Sequence, residues 1–278
     1  MSFRDLIVQL DESPQASARA QVASAFAARH KAHLTGVFLA SDFLRTYFAA
    51  EAFAALPPIQ IETLLKEHAA AVERAAEAAR ASFEAATGED GVASEWRVVN
   101  GDWDAALVSC ARRTDLTVLP RQTSASLGRH RIAAAQVAVA CGGPVLITHD
   151  EAFPSSVGRR VLVAWKNTRE AARALHDAWP IIELADEVHV LTVSPNGDDG
   201  PDSLLQRQFE RRGCRANLIV DRRADSVASW VVREHVEALR ADTLVMGLYG
   251  RPRLEELILG GVTSEILSDP PTTLFVAH

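Results

Sequence analysis

The residues best placed to do chemistry are the glycines of Gly247-Leu-Tyr-Gly250-Arg251-Pro-Arg253-Leu-Glu-Glu-Leu-Ile-Leu-Gly260-Gly261-Val262-Thr263. They follow Asp242-Thr-Leu-Val-Met246, a short apolar run that predicts a buried strand, and the second glycine cluster stands where the next helix begins. Without a Cβ, such residues let backbone N–H groups close in on an anion at a helix N-terminus, where the helix dipole also favours negative charge. Thr263 adds a hydroxyl, and Arg251 a cation, to the same stretch. The same glycines would equally serve to turn the chain and to bring a helix close to a strand. Other constellations are thin. The nine histidines are dispersed, no H-E-x-x-H, C-x-x-C or G-x-S-x-G occurs, and Cys110, Cys141 and Cys214 lack metal-ligand spacing. No nucleophile–base pair stands out, and no metal site is expected.

The elements that must position the glycines emerge from an internal repeat. Phe3 to Leu10 reads as a strand, and Ser13-Pro14 as the cap and first position of an alanine-rich helix reaching about Lys31. Leu34 to Leu39 is a second strand. From Gly158 the order returns: a strand at Arg160–Trp165, a cap at Thr168, a helix over Arg169–Leu184, and a strand at Val188–Val193. The ends match too, with Asp115–Leu119 against Asp242–Met246 and Pro144–Thr148 against Pro271–Val276. This predicts a tandem duplication over 1–150 and 158–278, with Asp150–Val157 as a polar, turn-rich linker. Strands alternating with helices predict an α/β fold, two tandem doubly wound parallel sheets; if the five strands of each half lie in the order 3-2-1-4-5, strands 1 and 4 flank the point where the order reverses. Ligands then bind beyond the carboxyl ends of strands 1 and 4, the topological switch point. Those ends carry Lys166 and Gly247 in the second half, and Asp11 and Pro120 in the first. The halves differ most after their second strands. The first half has an aromatic cluster from Phe43 to Phe53 and a long helix over about Ile59–Ala86; the cluster would pack the inserted helix or line an apolar ligand pocket.

Composition bounds the partners. A chain of 278 residues that is 48% hydrophobic and 23% charged can bury a full core. Its net charge of -7 argues against a general nucleic-acid or anionic-membrane surface. Three scattered cysteines and no basic, apolar leader or bilayer-length stretch predict a cytoplasmic protein.

The pattern G-x-x-G-x9-G followed by Gly-Val-Thr, placed after a strand and inside this repeat, resembles the nucleotide loop of the universal stress proteins. The whole chain is similar to a tandem member of that family. The resemblance implies two domains joined through their last strands into an intramolecular pseudo-dimer, a binding and regulatory role, and ATP or another adenine nucleotide, with or without Mg2+, as ligand. Carried over by position, Gly247 and Gly250 would approach ribose and phosphates, and Gly260, Gly261, Val262 and Thr263 would offer amides and one hydroxyl. Arg251 would be a second cation beside Lys166. The backbone at Ala164 to Lys166 and at Val193 would meet the adenine. Two departures stand out: Lys166 replaces the family's usual Asp at the end of strand 1, and Gly261 replaces a Ser or Thr. The first half keeps Asp11, but has Pro120 and Ala133 where the loop's glycines belong, so no nucleotide is expected there. Alternative readings are a nucleotide-free scaffold for protein partners and a slow ATP hydrolase; a homodimer would be compatible with any of them.

Overall fold

Ten strands form one continuous sheet in the computed structural model, which describes residues 2–40, 58–100, 103–124, 131–149, 156–196, 203–248 and 261–278. The first half contributes β1 (Asp5–Leu10), α1 (Ala16–His30), β2 (His33–Leu39), α2 (Pro58–Asp90), β3 (Ser94–Val99), α3 (Trp103–Ala111), β4 (Leu116–Leu119), β5 (Gln122–Ser124), β6 (Arg131–Ala133), α4 (Ala134–Cys141) and β7 (Val145–Ile147). The second contributes β8 (Arg160–Ala164), α5 (Arg169–Asp177), α6 (Trp179–Ile182), β9 (Glu187–Val193), α7 (Ser203–Arg211), β10 (Ala216–Asp221), α8 (Ala228–Ala238), β11 (Thr243–Gly247), α9 (Gly261–Ser268) and β12 (Thr273–Ala277).

The strand order is β10-β9-β8-β11-β12-β7-β4-β1-β2-β3, so each half runs in the expected order 3-2-1-4-5. Within each half the pairs of this sheet are parallel. The halves meet through their last strands, where β12 pairs antiparallel with β7 and Phe275 stands opposite Leu146. One sheet therefore serves both halves, and the pseudo-dimer is covalent.

Strand alternation sends side chains to two cores, one on each face of this sheet. Leu6, Val8 and Leu10 join Phe26, Phe83, Trp179 and Phe209 on the face covered by α1, α2 and α5. Ile7, Leu162, Leu191 and Val276 join Val137, Val232 and Ile266 on the face covered by α4, α8 and α9. The first core crosses the seam, with the Phe3 ring 6.5 Å from that of Phe275. Arg29, at the end of α1, reinforces the seam by donating to the carbonyls of Val157 and Gly158, each at 3.1 Å, and to that of Leu184. Gly158 has φ +80°, and a Cβ there would lie 2.9 Å from Ile181, so both conformation and space call for glycine.

The paired aspartates of the repeat are structural. Asp242 accepts from the backbone N–H groups of Gly158, Arg159 and Arg160 at 2.7, 3.2 and 2.7 Å. Asp115 does the same for Arg4 and Asp5 at 2.6 and 3.1 Å. In each half this carboxylate ties strand 4 to the start of strand 1, at the end of the sheet away from the switch point.

Four local expectations change. The helix expected over Arg169–Leu184 splits into α5 and α6 around Ala178, because Pro180 has no N–H to continue the ladder. Ser13 does not cap α1. It donates its N–H and hydroxyl to Asp11, and the helix starts at Ala16, whose N–H bonds the Ser13 carbonyl at 3.0 Å. The helix predicted to end at Ala86 runs on to Asp90, 33 residues in all. Where the first half lacks the glycine loop, a short antiparallel ribbon, β5–β6, leads into α4. The Phe43–Phe53 cluster lies outside the described residues. Among the described residues no helix is long and apolar enough to cross a membrane.

Candidate functional site

Parallel strands all point their carboxyl ends one way, and in the second half β8, β9 and β11 end around a cavity of about 560 Å³. Its floor and apolar wall are Ala164, Leu191, Val193, Met246, Val232 and Val262. Three helix starts ring it. Thr168 caps α5, accepting from the Ala171 N–H at 3.4 Å; Asp225, Ser226 and Ser229 come from the turn into α8; Gly261 to Thr263 open α9. The first-turn amides of a helix have no acceptor within it, so these starts present donors and a partial positive charge. The volume falls within the range of small-molecule sites.

Of the residues singled out in the sequence, Ala164, Lys166, Val193, Gly247, Gly261, Val262 and Thr263 all line this one cavity, although about a hundred residues separate the first from the last. Gly250, Arg251 and Gly260 lie outside the described residues. The wall also holds side chains that no motif signalled: Glu170, Asp225, Ser229 and Glu265. The segment between β10 and α8 carries no glycine or repeated signature, and only the sheet order brings it beside β8.

Lys166, at the position where the family resemblance expects Asp, reaches across the mouth to Asp225 at 3.2 Å. Both side chains are nearly half exposed, so the pair adds little to stability and is free to rearrange. The turn carrying Asp225 is itself braced. Arg223 donates its N–H and guanidinium to Asp221, whose carboxyl is held down to about 2, chiefly by the side-chain hydrogen bonds from that arginine. Deeper in, the Ser229 hydroxyl donates to Glu265, linking α8 to α9 across the cavity wall. Glu170 is mostly buried and bonded to Arg169 at 3.1 Å.

The two described glycines separate the two roles open to them. A Cβ at Gly247 would stand 2.4 to 2.6 Å from the backbone of Glu170 and Ala171. Glycine there lets the first turn of α5 lie against the end of β11, so close helix packing accounts for it. At Gly261 a Cβ would meet nothing within 4 Å among the described residues, so none of these requires glycine there.

The first half shows how the same scaffold looks when filled. By the register of β1 on β4 and of β8 on β11, Gln9 takes the place of Ala164. Gln9 is fully buried and donates to the Leu10 carbonyl at 3.1 Å. Arg19, also buried, donates to the Gln9 carbonyl at 2.7 Å and pairs with Asp11 at 3.1 Å. Asp11 is thus held within its own half by Ser13 and Arg19.

No protein-family model and no curated protein matches the chain. Solved structures do. It is similar to a universal stress protein from Archaeoglobus fulgidus DSM 4304 (TM-score 0.70, 18% identity, covering 98% of this chain and 97% of that one). It is also similar to a functionally unknown protein from Pseudomonas aeruginosa PAO1 (TM-score 0.56, 16% identity, 99% and 92% covered). A third likeness is to a protein from Pseudomonas aeruginosa UCBPP-PA14 provisionally named a universal stress protein (TM-score 0.56, 16% identity, 99% and 93% covered). The chain has the tandem fold of a universal stress protein. The match runs over nearly the whole length of both partners, so the fold is shared by both halves and their junction, and not by a single α/β unit alone.

Proposed function

We propose that the chain is a member of the universal stress protein family, made of two such domains over 1–150 and 158–278, and that its second half binds an adenine nucleotide as a cytoplasmic regulatory module. The observation that carries this reading is the convergence of the ends of β8, β9 and β11 and the glycine start of α9 on one cavity at the switch point. The base would lie on Ala164, Leu191, Val193 and Met246, with its edge toward the backbone at Ala164–Lys166 and Val193. Phosphate oxygens would face the Gly261–Thr263 amides, the Thr263 hydroxyl and Lys166, and Gly250, Arg251 and Gly260 would complete the loop. Among the described lining residues there is no histidine or cysteine, which favours binding over turnover. The test is calorimetry with ATP, ADP, AMP and adenosine on the full chain and on Ala164→Gln. That variant installs in the second half the side chain that fills the first, so it keeps a fold the chain already tolerates. Binding at or below the millimolar range, lost in Ala164→Gln, is the expected result. No heat with any of the four ligands, or equal binding by the variant, overturns the reading.

A further inference from the structure

Among the described lining residues, carboxylates outnumber cations. Glu170, Asp225 and Glu265 stand there against the ammonium of Lys166, and Lys166 is already engaged by Asp225. Arg169 offsets Glu170 from outside the cavity, on a side chain that is 77% exposed. Glu265 has no such partner: its carboxylate takes a hydroxyl hydrogen bond from Ser229 and no cation among the described residues. It also stands one turn into α9, the helix whose N-terminal amides are the natural phosphate donors, and so lowers the positive potential those amides create. In sequence the stretch 249–260, which lies outside the described residues, carries Arg251 and Arg253 together with Glu255 and Glu256, and so has no net charge.

From this we infer that the site selects a nucleoside carrying at most one phosphate over the di- and triphosphates, with Glu265 and Asp225 as the discriminating residues. The inference rests on the nucleotide reading of the cavity and sharpens it. An uncharged nucleoside meets the apolar wall and the hydrogen-bonding rim without opposing the carboxylates. One phosphate can be met by Lys166, drawn from Asp225, together with the α9 amides. Each further phosphate adds negative charge beside Glu265 with no described cation left to receive it.

The experiment is a comparison of adenosine, AMP, ADP and ATP binding to the full chain in chelator, at two salt concentrations, with Glu265→Gln and Asp225→Asn alongside. Gln retains an acceptor for Ser229 and removes only the charge. Affinity is expected to fall from AMP to ATP by about tenfold or more, with a gap that widens at low salt, where charge repulsion is least screened. The ratio of ATP to adenosine affinity should rise several-fold in each variant. ATP binding as tightly as AMP, or an unchanged ratio in both variants, refutes the selection while leaving the nucleotide reading standing. Failure of all four ligands removes both.

Discussion

His30 offers a test of how the seam between the halves is held. It ends α1 with its ring 4.3 Å from that of Phe26 and 5.2 Å from that of Phe3, the residue that also faces Phe275 across the junction. Its Nε2 is buried without a hydrogen-bond partner, and burial, aided by the neighbouring Arg29, lowers its pKa from 6.5 to about 4. Protonation would place an N–H+ where no acceptor exists. The sign follows directly. Between pH 6.5 and about 4 the unfolded chain binds a proton that the folded chain refuses, so this group's contribution to stability is intact at neutral pH and is lost as pH falls through that window. At pH 5 the loss relative to pH 7 is about 2 kcal/mol, approaching about 3 kcal/mol below pH 4. Urea unfolding of the full chain at pH 7 and pH 5, compared with His30→Phe, isolates the effect from the carboxylates that titrate in both proteins. The variant should lose about 2 kcal/mol less than the wild type over that interval. An identical pH dependence in the two proteins would mean that His30 is solvated or already partnered when folded, and the account of the seam would fail.

Other consequences concern the cavity and its supports. Gly247→Ala forces a methyl against the Glu170 backbone and should destabilise by about 1–3 kcal/mol, read by chemical unfolding, while moving the α5 end of the cavity and weakening adenosine binding in calorimetry. Gly261→Ser should change stability by no more than about 0.5 kcal/mol, because its Cβ meets no described atom within 4 Å, and should raise AMP affinity by placing a hydroxyl at the α9 start. Thr168→Ala removes the cap of α5 and should cost about 1 kcal/mol in the same unfolding assay. Asp242→Ala removes the acceptor shared by three backbone N–H groups at the base of β8, of which Gly158 keeps the Thr243 hydroxyl at 2.8 Å, and should lower stability by about 2–3 kcal/mol; a loss under about 0.5 kcal/mol would show that water replaces it freely.

Whereas the joining of the halves through their last strands followed from the family resemblance, the duplication and its order of elements were legible because apolar runs recur in the same succession and the pairs Asp115/Asp242 and Pro144/Pro271 share one offset. The position of the cavity was legible for the same reason, since a parallel sheet of this order can open a crevice only where β8 and β11 part. What lined it was less so. Asp225, Ser229 and Glu265 belong to segments whose sequence reads as ordinary helix surface, and they meet only through tertiary packing of α8 on α9. Ser13 misled because Asp11, two residues earlier, competes for its hydroxyl and amide. Gly247 both lines the cavity and lies against the α5 backbone, and spacing alone does not separate a ligand contact from close packing.

The duplication accounts for why two copies of one scaffold differ at the same point. A switch point is a fault in side-chain coverage: neighbouring crossovers leave to opposite faces, and something must fill the gap they open. In the first half Gln9 and the Arg19–Asp11 pair fill it from within, at the cost of a buried Gln9 Oε1 that finds no hydrogen-bond partner among the described residues. In the second half Ala164 leaves the space open, and Lys166 pairs at the rim instead of inside. An open crevice ringed by helix starts forgoes the packing its filled twin enjoys. Sharing one sheet through β7 and β12 lets the filled half stabilise the open one. On this view Ala164→Gln should raise the stability of the second half as it closes the site. A variant that loses ligand and also loses stability would show that the second half had already been packed for its own cavity, and that the two halves no longer share a common solution.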